Sequence, residues 1–157
     1  MKDAPVSQRP PEKTVPGTVY RSLLQIAALG SELGEYLAAS QIAGVLQGLR
    51  PDLPQASIVQ AMNTFCGGDI SAGIVELDEV LAQFPGSQLA KALLAVCMKI
   101  DNRAGWPQML EAVIDDGRDE YAVGLACTIL GRTEVAGGRP YEQQAVVGTL
   151  PAHVMWA

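Results

Sequence analysis

The side chains of this sequence best equipped for chemistry are three cysteines, one histidine and two groups of carboxylates. Cys66, Cys97 and Cys127 stand about thirty residues apart and form no CxxC pair, whereas zinc sites are assembled from closely spaced ligand pairs. His153, the only histidine, lies near the C-terminal end, and no nucleophile motif pairs it with a Ser or Cys, which argues against a triad or dyad. Glu76, Asp78 and Glu79, and again Asp115, Asp116, Asp119 and Glu120, are dense in carboxylate. Acid–base work, however, needs burial or a pocket that separates two pKa values, and these acids read as a solvated helix face and helix termini. Gly67-Gly68-Asp69 belongs to no Walker loop or GxGxxG run and reads as a helix stop followed by an N-cap. The expectation is therefore no catalytic residue, no metal, no cofactor and no enzyme. The three thiols, each inside an apolar pattern, are expected to be reduced core residues of a reducing compartment.

What must position these residues follows from composition. The 157 residues suffice for one domain with its own core. They are 48% hydrophobic but only 5% aromatic, so the core is built from Ala, Leu, Val, Ile and Met and favours helix. A net charge of −6 opposes binding to nucleic acid or anionic lipid, which call for clustered Lys and Arg. The first seventeen residues, MKDAPVSQRPPEKTVPG, contain four prolines and no apolar h-region. They read as a flexible arm rather than a secretory signal. With no run long and apolar enough for a membrane span, the expected location is the cytoplasm.

From Val19 onward, apolar residues recur with helical spacing, as in Ile42, Val45, Leu46, Leu49; Ile58, Ala61, Met62, Phe65; Leu77, Val80, Leu81, Phe84; and Leu89, Ala92, Leu93, Val96. Gly30-Ser31, Gly67-Gly68-Asp69, Pro54, Pro107 and Asp116-Gly117 punctuate them. Pro51 and Pro85 are 34 residues apart, and the same step links Ala27, Ala61 and Ala95, and Ala39, Gly73 and Pro107. Small residues thus recur where paired helices must approach closely. Gly30, Gly34, Gly44 and Gly48 have GxxxG spacing, but their polar neighbours point to packing inside one chain. Trp106 reads equally as an interface anchor or a core residue, and Trp156 as an anchor.

A 34-residue helix hairpin with recurrent small residues and a closing Pro resembles the tetratricopeptide family. The resemblance implies an all-α stack of about three hairpins over residues 18–130, a capping helix from Tyr121 to Leu130, and a partly ordered tail over 131–157. Thr64, Met98, Pro107 and Asp119 depart from the family pattern. Such a stack has a concave face made by the first helix of each hairpin. Steps of 34 place Leu24, Ile58 and Ala92, then Met62 and Val96, then Phe65 on that face, with Leu89, Arg21 and Gln55 at its rim. A largely apolar, Met-containing groove of this kind suits an amphipathic helix.

A narrower likeness rests on the LRPDLP segment and the run from Gly68 to Trp106, with Pro51, Lys91, Ala92, Leu93, Leu94, Ala95, Cys97 and Trp106 in corresponding places. It resembles the small tetratricopeptide-like proteins of bacterial type III secretion, the HrpB/HrpK and YscG-like group. The resemblance implies a cytoplasmic, virulence-associated chaperone. Its partner would be a small helical secretion subunit, such as a needle protein, with a possible co-chaperone. The alternative is a structural component of the apparatus assembled through the same helices.

Overall fold

The computed structural model describes residues 15–132; the arm over residues 1–14 and the segment 133–157, with His153 and Trp156, lie outside the described residues. Seven α-helices and no strand make up the described chain: α1 (Gly17–Glu32), α2 (Tyr36–Leu49), α3 (Gln55–Cys66), α4 (Ile70–Gln83), α5 (Gln88–Ile100), α6 (Trp106–Asp116) and α7 (Glu120–Leu130). Each helix packs against the next, and α1 also reaches α3 as α5 reaches α7. The result is three hairpins closed by a single helix, the expected all-helical stack.

The punctuation works through identifiable groups. Asp69 caps α4 by accepting from the Ala72 amide at 3.1 Å, Ser87 caps α5 from Ala90, and Asp119 caps α7 from Tyr121 and Ala122. Caps of this kind stabilise by about 1 kcal/mol each. Pro107 occupies the first turn of α6, where its missing N–H costs nothing, and Gly117 ends that helix at φ 64°. One break falls elsewhere than its sequence signal: α1 runs through Gly30-Ser31 to Glu32, and the chain turns at Gly34 with φ 80°.

Small residues decide how near the helices come. Ala27, Ala61 and Ala95 are wholly buried. A Cβ added at Gly30 would meet the Ala39 Cβ at 3.3 Å, and one at Gly73 would fall 2.6 Å from the Phe65 Cβ. The GxxxG reading is corrected in part. Gly30 alone packs inside the chain, while Gly44 and Gly48 lie exposed with no atom within 4 Å of an added Cβ.

Three apolar clusters run along the stack. Tyr20, Leu24, Ala43, Leu46 and Val59 unite the first hairpin with α3; Ile58, Phe65, Leu77 and Leu93 join α3 to α5; and Ala92, Leu110, Val113 and Val123 join α5 to α7. Trp106 is half-buried against the last cluster, with the Lys99 ammonium 5.0 Å from its ring centroid. Cys97 and Cys127 are buried and Cys66 exposed, all three unpaired. Burial pushes the Cys97 thiol up to about 12.

Three outcomes follow. Gly73→Ala, with Phe65 backbone in the way, is expected to destabilise by about 1–3 kcal/mol, whereas Gly44→Ala stabilises by about 0.5–1 kcal/mol because an exposed helical Gly gains propensity; urea midpoints of opposite sign check both. Native labelling at pH 8 should modify Cys66 alone, with Cys97 and Cys127 reacting only after denaturation. Because the unfolded Cys97 ionises near its ordinary value of 9.0 and the folded one near 12, its contribution is intact below pH 9 and stability falls as pH rises from there. Cys97→Ala should flatten that fall in thermal melts.

Candidate functional site

The first turns of α1, α3 and α5, with the start of α7, surround a groove of about 890 Å³. α1 packs against α3 and α5 against α7, while Ile58 of α3 and Leu89 of α5 share one apolar cluster beneath the groove. Leu24, Ile58 and Leu89 form its floor, and they are only 2%, 1% and 9% exposed. Arg21, Gln55, Gln83, Gln88 and Asp119 line its walls, and the turns after α2 and α4, carrying Pro54 and Pro85, close its edges.

The expected largely apolar groove is thus corrected to an apolar floor under polar walls. Of the six residues that the 34-residue step places on the concave face, Leu24 and Ile58 line the groove, as do Leu89, Arg21 and Gln55 of the rim; Met62, Phe65, Ala92 and Val96 do not. Phe65 is packed onto Gly73. Ala92 is fully buried against α6 and α7. Met62, half-buried, lies 3.9 Å from the Cys97 sulfur through its Sδ, and Val96 is half-buried on α5. Of α3 and α5 only Gln55, Ile58, Gln88 and Leu89 line the groove, which therefore reaches their first turns and not their later ones.

Two amide oxygens stand out. Gln88, 7% exposed, and Gln55 each occupy the first position of a helix, and the Oε1 of each is buried with no hydrogen-bond partner among the described residues. A buried unmade hydrogen bond costs about 1–3 kcal/mol, and both glutamines are among the residues that line the groove. The 34-residue step places Gln55 at the rim; nothing in the apolar periodicity singles out Gln88.

The edge next to α1 is held by Arg50, whose Nε and Nη2 donate to the Asp52 carboxylate at 2.9 and 2.8 Å. That hydrogen bonding holds the Asp52 carboxyl below its usual range. The same guanidinium lies 5.9 Å from the Tyr20 ring centroid, and burial raises the Tyr20 phenol above its ordinary pKa. The pair is exposed to solvent, so its stabilising effect is small; its consequence is geometric, a fixed turn at the mouth.

The carboxylate groups have local duties. Glu76 accepts from the Thr64 hydroxyl at 3.0 Å, Asp116 from Arg118 at 2.8 Å, and Asp119 caps α7. Among the described residues no three His, Cys, Asp or Glu side chains converge as a metal site, and no helix is long and apolar enough to cross a membrane.

No curated protein and no solved structure matches the chain significantly. A profile of bacterial type III secretion proteins, HrpB1_HrpK, does match, over residues 11–135. That span takes in all seven helices and the groove they surround, so the chain belongs to the HrpB1_HrpK family of bacterial type III secretion proteins.

Proposed function

We propose that the chain is a non-enzymatic protein-binding module of type III secretion, a cytoplasmic chaperone that holds a segment of a secretion subunit in the groove between α1, α3 and α5. The observation that carries this reading is that the groove combines an apolar floor, Leu24, Ile58 and Leu89, with Gln55 and Gln88, whose side-chain oxygens have no hydrogen-bond partner among the described residues. An amphipathic segment supplies both complements at once. Its apolar side chains cover the floor at roughly 25 cal/mol per Å² of apolar surface removed from water. Its polar N–H groups donate to the two amides. A subunit that polymerises through the same apolar face is thereby kept from doing so. Family membership supports a protein partner. Metal or cofactor chemistry has no part in this mechanism.

Gln88→Ala separates binding from folding. Removing a buried acceptor that has no partner is expected to leave stability unchanged or raise it by about 1 kcal/mol, while the captured subunit loses a contact. Co-expression with the neighbouring operon products, followed by pulldown, should recover a small helical subunit with the wild type. Recovery should fall several-fold with Gln88→Ala and further with Gln55→Trp, which fills the groove, at unchanged circular dichroism. Undiminished recovery by both variants overturns the groove reading and puts fixed assembly of the apparatus through other faces ahead of it.

A further inference from the structure

The chain enters the stack at the groove. Gly17, the first residue of α1, lines it together with Tyr20 and Leu24, so the arm over residues 1–14 reaches α1 through Val15 and Pro16 at the groove's own edge. Val15 is half-buried and stands one residue before the Pro16 cap of α1. A hydrophobic residue at that position packs on the fourth helical residue and sets the angle at which the chain enters; here the fourth residue is Tyr20, which lines the groove. The segment after α7 leaves from another place. Asp119 and Tyr121 at the start of α7 line the groove, but α7 runs on for eleven residues, about 16 Å, before Arg132 is tied to Glu111 of α6.

We infer that residues 9–14 of the arm lie across the groove as an extended, polyproline-type strand and occupy it until a subunit displaces them. The displacement rests on the groove being the capture site proposed above; the docking of the arm does not. Besides the point of entry, reach and chemistry select this occupant.

Packed helices lie about 8–10 Å apart, so α5 stands roughly 20 Å across from α1, with α3 between them. A polyproline helix advances about 3.1 Å per residue, and six residues before Gly17 therefore cover the distance. Counting back sets Thr14 opposite Gln55 on α3, and Pro10-Pro11 opposite Gln88 and Leu89 on α5. Arg9 then stands at the far wall, near Asp119. The family match likewise takes in residues 11–14 of the arm but stops at residue 135 on the other side.

The chemistry agrees. Proline fixes its own φ and holds the residue before it extended, which lowers the entropy lost when such a strand docks. Proline-rich strands seat in aromatic-lined grooves, and this groove has Tyr20, Phe84 and Tyr121 beside Gln55 and Gln88. The two unpartnered amide oxygens call for donors. At Gln55, Thr14 supplies an amide and a hydroxyl; at Gln88, only 7% exposed, the prolines have no N–H, and the Arg9 guanidinium and the Glu12 amide supply them. An occupant on the same chain also acts at a high effective concentration, so a contact too weak to hold a free peptide still fills the groove.

Spin labelling of the full-length chain tests the docking. With Cys66→Ser removing the exposed native thiol, a nitroxide at Ser7→Cys should broaden the amide signals of Gln88, Leu89 and Tyr121 several-fold more than those of Gln41 on α2 and Thr128 on α7. Pro10→Gly combined with Pro11→Gly, which touches no helix, and Gln55→Trp, which fills the groove, should each abolish that preference at unchanged circular dichroism. Broadening without preference for the groove, or a preference that survives both variants, overturns the proposal. In the pulldown, replacing residues 9–14 by Gly and Ser should raise subunit recovery several-fold; unchanged recovery overturns the displacement. Subunit recovery indifferent to Gln88→Ala and Gln55→Trp removes the capture reading instead and leaves the docked arm in place, so the two failures are told apart.

Discussion

Close approach of α3 to its neighbours is the constraint from which the remaining structure follows. With two Phe and two Trp in the whole chain, bulky aromatic knobs are not available to fill wide gaps between helices, so the gaps themselves must be narrow. The glycine at 73 brings α4 onto the Phe65 backbone, and the wholly buried Ala61 allows α3 to sit deep in the stack. Dispersion attraction between short side chains at that distance replaces what a larger residue would supply across a wider one. The consequence is a helix buried on most of its circumference, with even a polar residue, Asn63, 2% exposed and both of its side-chain polar atoms unpartnered.

α3 packs on α2 and α4, α5 packs on α4, α6 and α7, and the groove lies over the first turns of α3 and α5. Gln55 and Gln88, each the first residue of its helix, are among the residues that line it. The unmade hydrogen bonds are tolerated because the aliphatic clusters beneath supply the stability, and sites that work by binding commonly carry such a local cost. On the proposed reading, a groove of this composition would distinguish a partner by its polar groups as well as by its apolar anchors. That fits a family devoted to type III secretion.

The ends of the stack differ for a related reason. The α7 helix, capped by Asp119 and tied to α6 through the Arg132 guanidinium donating to Glu111, closes the last cluster. No comparable element among the described residues covers α1 and α2, so the first hairpin satisfies its own core with Tyr20, Leu24 and Ala27 and still presents Ile26 and Leu33 outward.

Local signals in the chain determined the helices, their caps at Asp69 and Asp119, the stop at Gly117, the capping helix and the seams of small residues, because propensity, capping and periodicity act within a few residues of each other. The 34-residue step also placed Leu24 and Ile58 on the face where the groove lies, with Leu89, Arg21 and Gln55 at its rim. It failed at Met62, Phe65, Ala92 and Val96, because a repeat assumes equal spacing of equal units, whereas α1, α3 and α5 start at Gly17, Gln55 and Gln88. Tertiary packing alone decided the rest: that Gly30 lies within a helix while Gly34 makes the turn, that Gly44 and Gly48 face outward, and that Gln88 is buried at the groove. Each of these depends on which helix lies opposite, a relation between residues distant in the chain that no short-range pattern encodes.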